Sequence, residues 1–547
     1  MSRPTLVRSF AVGIVAAAAA LLLACSTDST EPADEGRATT PWIVIGIDGG
    51  EWRVIEDLWE RGELPNLRRL ADAGVRGPLK TAYAASPIIW TTIATGHRAE
   101  VHGITGFVVS TPQGEVPVSS GVRRVPALWN MTTRAGRRTA ALGWWASWPA
   151  ESIAGVVLSD RALHVDLDNR VSPASMLAGF EAIAADALSA PNGFRGNPAS
   201  RDRDQVVTHV AERLASDLGR PGDDGFDLLL AYYRSVDIES HNAWKYVEPE
   251  RFEVDPDDLA ANRERVPDAY RAVDAAIGRI LDRAPTSNVL VISDHGFHAT
   301  PRGEEVQILI DMNRVLARLG WIERDGEGGL DLASAAIYSF GTSKNRRPKR
   351  LRFNLAGRDE HGFVEPDERD ALRARLSDDL ARLSWPDGSP LFVVRDASQR
   401  EQNRGTDFEA FVLDRRVQSS DDPETRVLLD GEPIDDLVEQ VGRISGTHDE
   451  HTDGIVIATG PDLEPAADPA GLSIFDITPT LLYGLGLPVA EDFAGTARVD
   501  LFTEAFRAGH PLRTIASWGT MDEPTDAERS SVDQELVDEL RALGYIE

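Results

Sequence analysis

Cysteine is almost absent from this sequence: its 547 residues include one, Cys25. Without a second thiol no intramolecular disulfide can form, so the fold has to be held by its core and by any metal it binds. Basic charge is short as well. Lys and Arg together number 57 against 88 Asp and Glu, a formal charge of −31, and only four of the basic residues are lysine. Binding to the nucleic-acid backbone needs a basic footprint, and this balance argues against it. The acidic surface serves solubility, and an acidic substrate would have to be drawn in by bound cations. Long apolar runs are missing beyond Cys25, which leaves no second candidate for a membrane span, and no internal repeat is present. The length suits one large α/β domain with insertions, or two or three ordinary domains.

What is present begins with a targeting pattern. Arg3 and Arg8 form a positive start, Phe10 to Leu23 is an apolar run too short to span a bilayer stably, and Leu22-Leu23-Ala24-Cys25 follows. That tetrad resembles a bacterial lipobox, which implies removal of residues 1–24, acylation at Cys25 and export with a lipid anchor in the membrane. An ordinary cleaved signal with an incidental cysteine is the alternative. Residues 25–40, polar and containing Pro32, read as a flexible tether.

The main domain is expected over residues 41–510. Trp42-Ile43-Val44-Ile45-Gly46-Ile47 is a continuous apolar run ended by Asp48-Gly49-Gly50, as for a strand buried on both faces of a parallel sheet. The same grammar recurs from Phe226 to Tyr233, leading into Asp237, and from Asn288 to Ile292, leading into Ser293-Asp294-His295-Gly296. Helical patterns intervene over Pro65–Ala73, Gln205–Leu218 and Pro267–Arg283. This alternation predicts an α/β fold: a doubly wound, mostly parallel central sheet with helices on both faces, and ligands bound beyond the strand carboxyl ends. Residues from about 300 to 445 are less regular and read as an insertion or cap. It holds a helical stretch from Val306 to Leu319 and a basic run from Lys344 to Arg352, taken as a solvated loop. The sheet resumes at Gly454–Ala458, Asp476 opens a helix through Tyr483, and residues 511–547 make a polar linker and a short C-terminal helix.

Ser86 is followed by Pro87 and an apolar run that Gly96 stops. Serine at the N-cap with proline after it is the expected helix start. It would put Ser86 Oγ at the positive end of the dipole, beside free backbone N–H groups that stabilise an alkoxide and a phosphoryl group. Thr91 and Thr92 fall inside the helix, where hydroxyls bond back to the preceding turn. Asp237 and His241, at i and i+4, can share a cation if their segment is helical. Asp294 and His295 are adjacent and converge on a metal only from irregular backbone after a strand, which is where they lie. His448 sits in a Gly-flanked loop before the next buried strand. With Asp48 these make three carboxylates and three imidazoles, a set that suits Zn²⁺ best, with Mn²⁺ or Fe²⁺ as alternatives. Two divalent cations around a hydroxyl nucleophile point to an exported metal-dependent phosphoesterase. The tryptophan-rich segment Gly143–Pro149 reads as packing, with one substrate-facing tryptophan as the alternative.

The order of these residues resembles the alkaline phosphatase superfamily, above all its type I phosphodiesterase and nucleotide pyrophosphatase branch. Supporting motifs are Gly46-Ile47-Asp48-Gly49, Pro65-Asn66-Leu67, Trp90 to Gly96 with His102-Gly103-Ile104, Ser293 to Gly296, and Asp476 to Thr480. The resemblance covers about residues 41–500. Carried over by position, it implies one zinc on Asp237, His241 and His448 and a second on Asp48, Asp294 and His295, with Ser86 as a further ligand of the second and as the nucleophile. A small phosphate ester, monoester or diester, would be hydrolysed through a phosphoseryl enzyme.

Three positions depart from the family pattern. Ile89 stands where nucleotide pyrophosphatases carry an asparagine that holds a phosphoryl oxygen, Ser86 stands where many relatives have threonine, and His451 follows His448 closely enough to be an alternative ligand. A sulfatase would need a cysteine or serine followed by Pro and Arg at fixed spacing, which Ser86-Pro87-Ile88-Ile89 lacks. Phosphonate cleavage within the superfamily stays open. A catalytically silent binding lipoprotein would be marked by loss of a metal ligand, and none is lost.

Overall fold

The computed structural model describes residues 39–521, apart from 112–113, 190–197, 223–224, 302, 311, 325–329, 332, 340–348, 360, 387, 398–405, 413–426 and 435–436, together with 530–533 and 536–537. The targeting segment, Cys25 and the final turns of the expected C-terminal helix lie outside the described residues.

The central sheet is built from β1 (Trp42–Ile47), β2 (Val75–Leu79), β3 (Thr139–Leu142), β4 (Gly155–Leu158), β5 (Val171–Ser172), β6 (Leu228–Tyr233), β7 (Asn288–Ile292) and β8 (Gly454–Thr459), in the order β2-β8-β7-β1-β6-β3-β4-β5. The β7-β1-β6-β3-β4 block is parallel throughout. β8 runs antiparallel to both its neighbours, and β5 closes the other edge antiparallel to β4.

Side chains alternate cleanly between two cores. Ile43, Ile45, Ile47, Leu229, Ala231, Val289 and Val291 face one cluster with α1 (Pro65–Ala73), α3 (Pro198–Ala215) and α5 (Arg265–Arg283). Trp42, Val44, Leu228, Leu230, Leu290 and Ile292 face the other with α2 (Ser86–Thr95) and α6 (Ile477–Gly484). Both faces are therefore covered, which is why these strands read as continuous apolar runs. Each fully buried isoleucine of β1 contributes on the order of 1.5–3 kcal/mol. The doubly wound α/β architecture expected from the alternation is the one observed.

Between β7 and β8 the chain builds a smaller β-rich layer with its own core, running from Ile310 to Leu437. Two details differ from expectation. Instead of one helix over Val306–Leu319 there is a strand, Glu305–Ile310, paired with Val438–Ile444, and then a helix, Met312–Arg318. The β-branched sequence Val-Gln-Ile-Leu-Ile favours the extended state, and a partner strand satisfies it. The described part of the basic run is likewise not a solvated loop: Lys349–Phe353 is a strand of a four-stranded sheet, and Lys349 is buried. Among the described residues no helix is long and apolar enough to cross a membrane.

Candidate active site

The register of the parallel block sets the site. Ile47 pairs with Tyr233 and Gly46 with Ile292, so the carboxyl ends of β1, β6 and β7 come level at one edge. Asp48 leaves β1 with its N–H on Tyr233 O at 2.9 Å. Gly49 follows at φ +71°, where a Cβ would meet Phe297 at 2.6 Å and the Asp237 backbone at 3.0 Å. Asp237 and His241 lie one turn apart on α4 (Ser235–Ala243), which begins right after β6. Its first N–H groups are held by a carboxylate from another helix: Arg234 and Ser235 donate to Asp204 at 3.0 and 2.9 Å. Asp294 and His295 occupy the irregular turn after β7, fixed by Gly49 N–H to Asp294 Oδ1 at 3.2 Å and Gly50 N–H to Ser293 Oγ at 2.7 Å. His448 arrives from the opposite direction. Because β8 is antiparallel, its beginning lies at this same edge, with Ser293 N–H on Ile455 O at 2.9 Å, and Ser445 N–H bonds His241 O at 2.8 Å.

These side chains converge. His295 Nε2 lies 3.3 Å from Asp48 Oδ1, 3.3 Å from Asp294 Oδ2 and 3.9 Å from Asp237 Oδ1. Asp237 Oδ1 is also 3.4 Å from His241 Nε2 and 4.0 Å from His448 Nε2. Two groups have donor atoms mutually within 4.8 Å: Asp48, Asp294 and His295, and Asp237, His295 and His448. His295 thus belongs to both, while His241 approaches the second from beyond Asp237. His451 does not take part. Its side chain is 85 % exposed and faces Glu450.

Electrostatics show how much charge the cluster concentrates. Asp48, Asp237 and Asp294 are all fully buried. Burial alone would raise Asp48, but His295 and the Tyr232 hydroxyl outweigh it and hold Asp48 below the ordinary carboxylate range. Burial and then the Asp48 charge push Asp294 well above that range. Burial opposes protonation of His295, yet the charge of Asp294 and its contact with Asp48 raise it to about 10. Burial, then His295 and His241, push His448 well below the usual imidazole value. His295 Nδ1 meets Gly296 O at 3.0 Å and His241 Nδ1 meets Gly446 O at 3.1 Å. A carbonyl only accepts, so Nδ1 carries a proton and each Nε2 faces the cluster, where it can give its lone pair to a cation in exchange for any proton it holds. Asp294 Oδ2, His295 Nε2 and His448 Nδ1 are buried without an aligned hydrogen bond among the described residues. Three buried carboxylates converging on one place call for positive charge, and a set of carboxylate oxygens and imidazole nitrogens fits divalent cations.

Ser86 Oγ donates to Asp48 Oδ1 at 3.3 Å, which places it beside this cluster. It is not the N-cap, however. Ile88 and Ile89 both donate to Ala85 O, so the helix starts one residue earlier, Ala85 is the cap and Ser86 is the first helical residue. Pro87 has no N–H, so the expected row of free amides at this terminus is not present. Ile89 is fully buried in the apolar core. The two threonines also differ from expectation. Thr92 Oγ1 meets His102 Nε2 at 3.1 Å, and the buried Thr91 Oγ1 has no hydrogen-bond partner among the described residues.

Two aromatic residues at the site, Trp90 and Tyr232, are given no role by the sequence reading, and Trp145 of the Gly143–Pro149 segment stands behind them. Trp90 Nε1–H donates to Asp48 Oδ2 at 3.1 Å, and Tyr232 donates to the same oxygen. Gly46 makes room for Trp90, since a Cβ there would lie 2.8 Å from its ring. Indole and phenol are not ligand types, and only their position in a motif or on β6 hints at the site. Trp144 and Trp148 pack in the interior, whereas Trp145 also walls a cavity of about 770 Å³ with Phe107, Phe180 and Arg234.

Comparison with known proteins places the chain. No curated protein sequence matches it. Among solved structures, murine ectonucleotide pyrophosphatase/phosphodiesterase 5, determined as an inactive variant in complex with AMP, is 15 % identical with a TM-score of 0.45, covering 85 % of this chain and 100 % of its own. The human ectonucleotide pyrophosphatase/phosphodiesterase 5 gives the same identity, coverage and score. Residues 42–412 match the family model for Type I phosphodiesterase / nucleotide pyrophosphatase, and the chain belongs to that family of phosphoric ester hydrolases.

Proposed function

We propose that the chain hydrolyses a small phosphate ester with Ser86 as nucleophile, at a site holding two divalent cations, zinc by the chemistry of the donors. Asp48, Asp294 and His295 would hold one cation and Asp237, His241 and His448 the other. The observation that carries this reading is the hydroxyl of Ser86 set 3.3 Å from Asp48 Oδ1, at the rim of three buried carboxylates and three imidazoles. When bound, the cations neutralise that buried charge, lower the pKa of the serine hydroxyl and stabilise the charge of the phosphoryl group. Ser86 Oγ then forms a bond to phosphorus as the bond to the leaving alcohol breaks, the serine proton ending on the alcohol; in the second step water displaces Ser86 from phosphorus and its proton restores the hydroxyl as the phosphate product leaves. Asp48 orients the hydroxyl, and the Gly296 and Gly446 carbonyls hold His295 and His241 in the ligating tautomer. The apolar Ile89 supplies no donor to a phosphoryl oxygen, which favours substrates other than nucleotides.

The test is an assay of the metal-replete and the chelated protein against one aryl phosphate monoester, one diester, one phosphonate and one sulfate ester. Turnover of a phosphate ester that chelation abolishes and Zn²⁺ restores supports the reading. Full activity after exhaustive chelation overturns it, and turnover confined to the sulfate ester replaces the substrate class. Export and lipid anchoring at Cys25 belong to the same proposal and rest on the sequence of residues 1–25.

A further inference from the structure

Asp48 touches both the proposed nucleophile and His295 of the cation cluster, and its two oxygens are used differently. Oδ1 faces Ser86 Oγ and His295 Nε2, each at 3.3 Å. Oδ2 is turned into the core, where it accepts from the Trp90 indole at 3.1 Å and from the Tyr232 hydroxyl. The Tyr232 oxygen itself accepts from Trp145 Nε1–H at 2.7 Å. An indole can only donate, so Trp145 occupies the acceptor side of the phenol and directs its single proton to Asp48. The ring of Tyr232 cannot swing away. It is fully buried, with Trp90 edge-on at 5.1 Å and Trp144 at 6.3 Å.

We infer that Tyr232, oriented by Trp145, is a positioning residue that commits Asp48 Oδ2 to the protein interior and so presents Oδ1 alone to Ser86 and the cation held by Asp48, Asp294 and His295. This rests on the two-cation reading above. Carboxylates that hold metals are themselves held by hydrogen bonds, and removing such a partner typically costs about 10–100-fold in metal affinity or activity. Tyr232→Phe keeps the ring and its packing and removes only the hydroxyl. Trp145 acts through the phenol, so its contribution should vanish once the phenol is gone.

The experiment is a four-member cycle of parent, Tyr232→Phe, Trp145→Phe and the double variant, each titrated with Zn²⁺ against a competing chromophoric chelator, with kcat and KM on an aryl phosphate and a thermal melt alongside. Tyr232→Phe is expected to weaken one of two Zn²⁺ sites and lower kcat by about 10–100-fold, leaving KM near the parent value. Trp145→Phe should lose less in the same sense, and the double variant should match Tyr232→Phe. A folded Tyr232→Phe with parental affinity at both sites overturns the inference, as do fully additive losses in the double variant. If Tyr232→Phe does not fold, Trp145→Phe carries the test, and parental Zn²⁺ affinity and kcat in that variant overturn it. A parent that binds no Zn²⁺ overturns the two-cation reading along with the inference. A parent with two sites and unaffected variants overturns the inference alone.

Discussion

The rings of His295 and His448 lie face to face, 3.4 Å between centroids and 7° from parallel. Two imidazolium ions would repel each other in that arrangement, and burial with the charge on His295 keeps His448 neutral. His295 meanwhile contacts carboxylates of both donor groups.

Replacing His295 should therefore cost the cation it holds and weaken its neighbour. Elemental analysis of His295→Ala and of His448→Ala is expected to show loss of about one ion each, and His451→Ala parental content. An unchanged metal content in His448→Ala, paired with loss in His451→Ala, would reverse the assignment.

Ser86→Ala should lower phosphate-ester turnover by several orders of magnitude while preserving the fold and most of the bound metal. Thr91→Ala and Thr92→Ala should keep substantial activity. Thr92→Ala gives up the His102 contact, at a stability cost of about 1 kcal/mol. Acid-quench labelling checks the assignment directly, with phosphate expected on Ser86 and on neither threonine.

Acid sensitivity is expected from His102. Its Nδ1 accepts from Ile104 N–H at 3.2 Å, so its Nε2 carries the proton toward Thr92. Burial first, then the charges of Arg123 and His97, depress it from 6.5 to about 3. A depressed folded-state value means that the unfolded chain binds the extra proton first, so this contribution is complete above about pH 6.5 and is lost as pH falls toward 3. Urea unfolding across that window should show a steeper acid loss in the parent than in His102→Gln.

Asp274 on α5 accepts from Leu67 N–H at 2.7 Å, Asn66 N–H at 3.3 Å and Asn66 Nδ2 at 3.1 Å. It caps α1 from a distance, which accounts for the Pro65-Asn66-Leu67 motif as a helix start rather than a binding element. Asp274→Ala should destabilise the protein by about 1–3 kcal/mol with kcat unchanged, measured by chemical denaturation and initial rates.

Cys25→Ala should move the protein from the membrane fraction to soluble or mis-processed forms. An unmodified mature N-terminus by mass spectrometry, with the same fractionation as the parent, would count against acylation.

Several elements are legible without coordinates because they depend on local pattern. β1, β6 and β7 are short apolar runs with polar ends, and α1, α5 and the segment after Ser86 carry ordinary helix punctuation. The Ser86 terminus differs from expectation by one residue, because cap geometry is decided by which carbonyl the first amides reach, and here that is Ala85 O. The region from Val306 departs for a different reason: the periodicity of a short apolar run does not separate helix from strand, and its β-branched residues take the extended state against a partner strand, Val438–Ile444.

By itself, the sequence determined which residues stand at strand ends, since a buried parallel strand announces its own termination. Asp48, Asp237 and the Asp294-His295 pair follow from that alone. Whether they meet was decided only by tertiary structure: the parallel register levels three strand ends, and the antiparallel course of β8 carries His448 back to the same edge. The use of Asp48 Oδ2 by Trp90 and Tyr232 belongs wholly to the fold, because hydrogen bonds between side chains 42 and 184 residues apart leave no periodicity in the chain to read.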